Sequence, residues 1–342
     1  MTGTQTVLVT GVGRHVGARV AAVLAADPGI RVIGVDTVPP TSPERVGRAG
    51  RDGGAQLQFA QVDLRSPDIT RVIAARDIDT VVHMSLLSGP ARSRSAMKEH
   101  NVIGTLQLLA ACQRSDTVRR VVVRSTTAVY GSSPLDPAVF TEASEPAEPP
   151  SSGYGKDAVE VEGFVRGFAR RRPDVAVTTL RFANLMGPGV DSPLTRYFTQ
   201  PVLPTVFGFD PRLQFVHEDD AVEALRRAAT EDHPGTFNAA GAGVLLLSQC
   251  VRRAGRPTLP VPGPAFRLLG ELARGLDRLD FSPEQVALMS YGRAVDSSLL
   301  FAELGWTFGY DTASAYADFL RARGLTENLP LAVFDTVAGL VR

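Results

Sequence analysis

Residues 7–17 read VLVTGVGRHVG: a β-branched apolar run, a turn with glycines at 11, 13 and 17, then an Ala-rich stretch over 18–26. No other segment restricts the fold as much. Val7, Leu8 and Val9 suit a buried strand, and residues 18–26 suit a helix. The glycines permit a tight backbone turn, and the start of the helix points unpaired N–H groups at a pyrophosphate. Nineteen residues after Gly17 the next apolar run, residues 31–36, ends in Asp36. A carboxylate at that place accepts hydrogen bonds from ribose hydroxyls. A glycine triplet alone is a weak signal. Strand, glycines, helix, strand and acid in register predict a dinucleotide site.

The alternation then continues. Strands are expected over residues 57–62, 79–84, 118–124 and 175–182, and helices over 69–76, 96–112 and from Tyr154 onward. Such βαβα order predicts an α/β fold: a doubly wound parallel sheet of the Rossmann kind, covered on both faces. Beyond Asn184 prolines become frequent and the alternation dissolves. The expected division is a dinucleotide domain over 1–184, to which 217–240 return. Residues 185–216 and 241–342 form a smaller, interleaved C-terminal substrate lobe and tail.

Charge narrows the partners. Lys and Arg number 36 and so do Asp and Glu, so nothing draws the chain to nucleic acid or an acidic membrane surface. Cys112 and Cys250 lie in apolar helical contexts and read as core residues. No signal peptide is read at the N-terminus, and no apolar run reaches the roughly 18 residues of a spanning helix. The expected setting is cytoplasmic. Residues 262–279, with Phe266, Leu268, Leu269, Leu272 and Leu276, predict a helix with a broad apolar face. It packs in a core or homodimer, roofs an apolar pocket, or lies on a membrane surface. His217, Glu218, Asp219 and Asp220 read as an acid-rich helix start, and no metal is expected there.

With these segments in place the chain resembles the extended short-chain dehydrogenase/reductase family, in its NAD-dependent epimerase/dehydratase group. It is most similar to actinobacterial members described as UDP-glucose epimerase-like. The resemblance rests on Thr10-Gly11…Gly17, Asp36, Val62-Asp63, Val82-His83, Asn101-x-x-Gly104-Thr105, Ser125-Thr126…Tyr130-Gly131, residues 180–188, Phe215-Val216-His217 and Gly305-Trp306. It implies that Gly11, Gly13 and Gly17 flank a pyrophosphate and that Asp36 holds the adenosine ribose. Asp63 and Leu64 then lie against adenine. Met84, Ser85, Leu86 and Phe182 line the cofactor, and Asn101 braces that loop. Arg14 stands where the family has its middle glycine and could reach a phosphate, even the 2′-phosphate of NADP. Asp36 would repel that group, so NAD is the expected cofactor.

The resemblance also implies a tyrosine acid/base, a lysine one helical turn later and a nearby hydroxyl. The ammonium lowers the phenol's pKa from about 10 toward working pH. Thr126 takes the hydroxyl position and Tyr154 the phenol, but position 158 is Ala158. Lys156 is a second candidate. In a chain with 34 arginines it is one of two lysines, beside Lys98. Yet at about 100° per residue it falls roughly 200° around the helix from Tyr154. It serves the phenol only if the helix starts late; otherwise it faces solvent. Asn184, Arg212 and Arg293 are the substrate-side candidates. The family's diphosphate-clamping arginine falls on Leu213, which puts a nucleotide sugar in question.

Three readings stay open at this stage. One is an enzyme passing hydride between nicotinamide and a carbinol or carbonyl carbon. Another is a silent NAD-binding sensor or scaffold. The third is a ketoreductase or dehydrogenase for an apolar alcohol or ketone.

Overall fold

The computed structural model of the chain describes residues 4–40, 47–48, 57–86, 94–263, 265 and 282–325. Most of the apolar helix expected over 262–279 lies outside the described residues, as do residues 41–46, 49–56 and 326–342.

The β-branched runs become the middle of one parallel sheet. Strands β1 (Gln5–Thr10), β2 (Ile30–Asp36), β3 (Gly47–Arg48), β4 (Leu57–Gln61), β5 (Thr80–His83), β6 (Arg120–Thr126) and β7 (Ala176–Phe182) follow in chain order. With β10 (Gly235–Ala239) they make eight strands in the order β10-β7-β6-β5-β1-β2-β4-β3. Every pairing in this sheet is parallel. Between them run the helices α1 (His15–Ala25), α2 (Asp68–Ala75), α3 (Arg94–Lys98), α4 (Gly104–Gln113), α5 (Gly153–Arg171) and α7 (Glu218–Thr230), with α6 (Pro193–Phe198) lying beyond β7. Val7, Leu8, Val9, Val32, Ile33, Val81, Val82, Val121, Val122 and Val123 are almost wholly shielded. Each such side chain contributes about 1.5–3 kcal/mol through burial.

Strand order reverses between β1 and β5, so the chain leaves β1 to one side of the sheet and β5 to the other. A crevice opens there at the carboxyl ends of the strands, where open parallel sheets hold their ligands. Thr10 lies level with Val35 on one neighbour and with His83 on the other. The glycine turn therefore emerges at the crevice.

One expected helix differs in detail. The run 94–113 contains a π turn over Glu99–Ile103, between α3 and α4. The wider turn places Asn101 inward, where its side-chain amide donates to buried Asp157 on α5 at 3.0 Å. Single π turns of this sort recur beside functional sites.

A second apolar core lies apart from the sheet. It gathers Met186, Phe198, Leu203, Leu213, Phe215, Leu245, Cys250, Tyr316 and Phe319. Short strands β8 (Asn184–Met186) and β9 (Phe215–His217) pair parallel at its border. The helix Pro283–Tyr291 joins the two regions, because Glu284 accepts from the Gly155 amide at 3.1 Å and thereby meets the amino end of α5.

Candidate active site

The glycine turn is built to bring backbone close to a ligand. Gly11 has φ +76°, a region that favours glycine, and a Cβ there would meet Ser85 Oγ at 3.0 Å. A Cβ on Gly17 would stand 2.2 Å from the Gly11 carbonyl oxygen, so only glycine lets α1 close onto the turn. The Gly13 amide donates to Asp36 at 3.0 Å, and Asp36 also accepts from Thr37 N at 2.7 Å. The first turn of α1 carries no acidic residue and its N-cap Arg14 provides no side-chain cap. Those N–H groups are left for an incoming anion.

The crevice wall includes Gly11, Arg14, Gly17, Met84, Leu86, Arg124, Thr126, Tyr154, Phe182, Asn184 and Arg293. Most of the residues singled out in the sequence thus meet in one place, and Ser85 lies against Gly11. Asp63 sits at the surface in an ion pair with Arg65 at 2.6 Å, while Leu64 is buried against Gly104. Asn101 is tied to Asp157 on α5.

At the far end of the crevice, Thr126 ends β6 and accepts from Ala128 N at 3.2 Å. Tyr154, on the first turn of α5, lies beside the Thr126 hydroxyl in the crevice wall. Burial raises the phenol's pKa, Arg124 and then the Thr126 hydroxyl oppose that rise, Glu284 adds to it and Arg293 offsets it. At neutral pH the phenol is therefore protonated and can give up a proton.

Two expected positions are corrected. Lys156 is exposed and outside the crevice, and among the described residues it makes no ion pair. The reason is that α5 is regular from Gly153, so the offset around the helix holds and Lys156 faces solvent. Ala158 is fully buried at the position one turn after Tyr154. Arg212 is likewise exposed. On a strand neighbouring side chains alternate, and Leu213 takes the inward place in the second core. Arg293 does reach the site: its guanidinium donates to Thr127 Oγ1 at 3.2 Å and the Gly131 carbonyl at 2.6 Å. Its burial pulls its pKa down to about 10.

Sequence reasoning missed Arg124, His15 and Glu284. Arg124 follows the apolar run Val121–Val123 near the carboxyl end of a central strand, and that placement was the available signal. Its Nε is buried without a partner, and its one protein hydrogen bond among the described residues is a long one, Nη1 to the Leu86 carbonyl at 3.4 Å. His15 stands at the crevice mouth with Nε2 2.8 Å from Glu218. Neither His15 nor Glu284 had a motif to mark it.

Among the described residues no group of three or more His, Cys, Asp or Glu could hold a metal ion. None of the described helices is long and apolar enough to cross a membrane.

Comparison with known proteins agrees with this geometry. An uncharacterised protein of Mycobacterium tuberculosis is 47% identical over 325 residues, 94% of this chain and 85% of that one. A UDP-glucose 4-epimerase of Erwinia amylovora is 30% identical over 187 residues, 54% of each chain. Among solved structures, a UDP-glucuronic acid 4-epimerase of Bacillus cereus in complex with UDP-glucuronic acid and NAD shares the fold. Its TM-score is 0.71 at 18% identity, covering 94% of this chain and 100% of that one. The NAD dependent epimerase/dehydratase family matches residues 7–240, the span from the first strand of the sheet to the end of its edge strand. With a glycine turn at the switch point and a tyrosine and a threonine at the crevice, the chain belongs to the NAD-dependent epimerase/dehydratase family.

Proposed function

We propose that the protein is an NAD-dependent enzyme of epimerase or oxidoreductase type, acting on a carbinol or carbonyl carbon. The observation that carries this reading is the Tyr154–Thr126 pair on the wall of the crevice that the glycine turn opens. The residues fit the cofactor on two independent features: a cradle where added Cβ atoms would collide, and a buried guanidinium nitrogen lacking a partner.

Gly11, Gly13 and Gly17 hold the diphosphate against the amino end of α1, and Arg14 adds charge beside it. Asp36 receives the adenosine ribose, which favours NAD over NADP. Bound there, NAD supplies hydride exchange at its nicotinamide ring. Tyr154 gives a proton to, or takes it from, the substrate oxygen, and Thr126 holds that oxygen within reach. Asn184 and Arg293 face the substrate side. Because Leu213 fills the place of the diphosphate-clamping arginine, sugar nucleotides, the ligands named for the relatives, are one class to try beside plain alcohols and ketones.

The test is an NADH absorbance screen over both classes, together with direct NAD titration. General acid–base catalysis contributes about 10²–10⁴-fold. Tyr154→Phe is therefore expected to lower turnover by at least about 100-fold while NAD affinity stays unchanged. The buried Ala158 favours a second reading, a silent NAD binder. Tight NAD binding with no turnover on any substrate would select it.

A further inference from the structure

Helix α5 brings no cation to its own tyrosine: Ala158 is buried, and Lys156 points to solvent. The neighbouring strand does. Arg124, two residues before Thr126 on β6, lines the same crevice as Tyr154 and Arg14. Of its donors only Nη1 has a protein partner among the described residues, the Leu86 carbonyl at 3.4 Å. Nε is shut off from solvent with nothing to bond. Nη2 makes no hydrogen bond among the described residues, which leaves it for an acceptor in the crevice.

We propose that Arg124 is the active-site cation, a positioning residue that carries on β6 the charge α5 lacks and acts on the Tyr154 phenol, its free donors turned to ligand oxygens in the crevice. The assignment rests on the reading of Tyr154 as the proton-transfer group. A guanidinium suits the task in one respect and limits it in another. It stays charged throughout the working pH range and offers five donors in a fixed plane, but it cannot itself relay a proton. The charged groups facing the phenol are Arg124 from β6, Glu284 from the helix Pro283–Tyr291, and Arg293 just after that helix. Arg293 spends two of its nitrogens on Thr127, Gly131 and Ser132. Arg124 has the freer hand.

The experiment is an alkaline tyrosinate absorbance titration, with the Tyr154 transition isolated by difference from Tyr154→Phe. It is run on the full chain with and without NAD. Arg124→Gln is expected to move the Tyr154 midpoint to higher pH, and Arg124→Lys to return it toward the wild-type value. Arg124→Met, of similar length, gives the same comparison if the glutamine variant does not fold. An unchanged midpoint in the folded Gln or Met variant overturns the assignment. NAD titration of the same samples is expected to show about tenfold weaker binding for Arg124→Gln. Failure of the wild type to bind NAD would remove the functional reading, while the midpoint without NAD still decides the role of Arg124.

Discussion

The two ends of the crevice are made in different ways. At the phosphate end the main chain does most of the work: the Gly11 amide bonds the Val35 carbonyl at 2.9 Å, the Gly13 amide bonds Asp36, and α1 closes onto the turn through Gly17. At the end proposed for the chemistry the wall is made of side chains from separate elements: Thr126 and Arg124 from β6, Tyr154 from α5, Glu284 and Arg293 from distant sequence. Backbone geometry needs a few contiguous residues and tolerates little change. A constellation of side chains can be refilled from a neighbouring strand when one member is lost.

If so, the chemistry end should depend most on the scaffold behind it. There Glu162 of α5 binds Arg181 of β7 at 2.6 Å, accepts from Ser125 Oγ at 2.6 Å, and is 4% exposed. Arg181 also donates to the Tyr130 hydroxyl, which bonds Asn238 at the sheet edge. Despite desolvation, the Glu162 contacts hold the Arg181 guanidinium above its ordinary pKa. Removing one partner of a buried pair strands the other charge, at about 3–5 kcal/mol. Glu162→Ala should lower unfolding free energy by that amount in a urea titration. A loss below about 1 kcal/mol would mean that solvent reaches Arg181 and the scaffold is not what orders this end.

The phosphate end should break at one atom. Gly17→Ala sets a methyl group 2.2 Å from a backbone oxygen that cannot swing away. Overpacking of this kind costs about 1–3 kcal/mol. NAD affinity by calorimetry should fall about tenfold or more, with the Tyr154 titration unmoved. Unchanged affinity would show that the turn has slack and that the contrast with the other end is overstated.

His83, at the end of β5, lies beneath the phosphate end, 2.9 Å from Thr10 Oγ1 and 2.8 Å from Thr105 Oγ1. Desolvation, with a smaller push from His100, pulls its imidazole from 6.5 down to about 3. Below pH 6.5 the unfolded chain binds a proton that the folded chain refuses, so stability falls as pH falls, until His83 protonates in the fold near pH 3. The loss should approach 1.4 kcal/mol per pH unit in that window. His83→Gln should remove this slope between pH 6 and 4. A slope that persists would place the acid sensitivity in other groups.

The same contrast explains what the sequence disclosed. The sheet was legible because a buried strand must be apolar along its length, as Val7 to Val9 and Val121 to Val123 are. The turn was legible because only glycine satisfies its geometry at Gly11 and Gly17. Arg124 gave only a weak signal, a charge after an apolar run, since nothing local tells whether it faces solvent or a crevice. Glu284 could not be read, because its tie to Gly155 crosses 129 positions of chain. Arg212 misled through proximity: it stands beside the clamp position, yet alternation on a two-residue strand turns it outward.

Lys156 gives the smallest expected effect and the finest test of the contrast. Rarity made it conspicuous, since only two lysines occur among 36 basic residues. Yet α5 is helical from Gly153, and the fixed angle per residue carries Lys156 away from Tyr154 whatever its chemistry. Exposed side chains outside packed or paired networks change stability by no more than about 0.5 kcal/mol when replaced. Lys156→Ala should therefore leave the Tyr154 midpoint, NAD affinity and unfolding free energy at wild-type values. A midpoint that rose in this variant would require residues 153–156 to unwind in solution and swing the ammonium into the crevice. The charge would then come from the helix after all, and the division between a backbone-made end and one refilled from a neighbouring strand would fail at its central example.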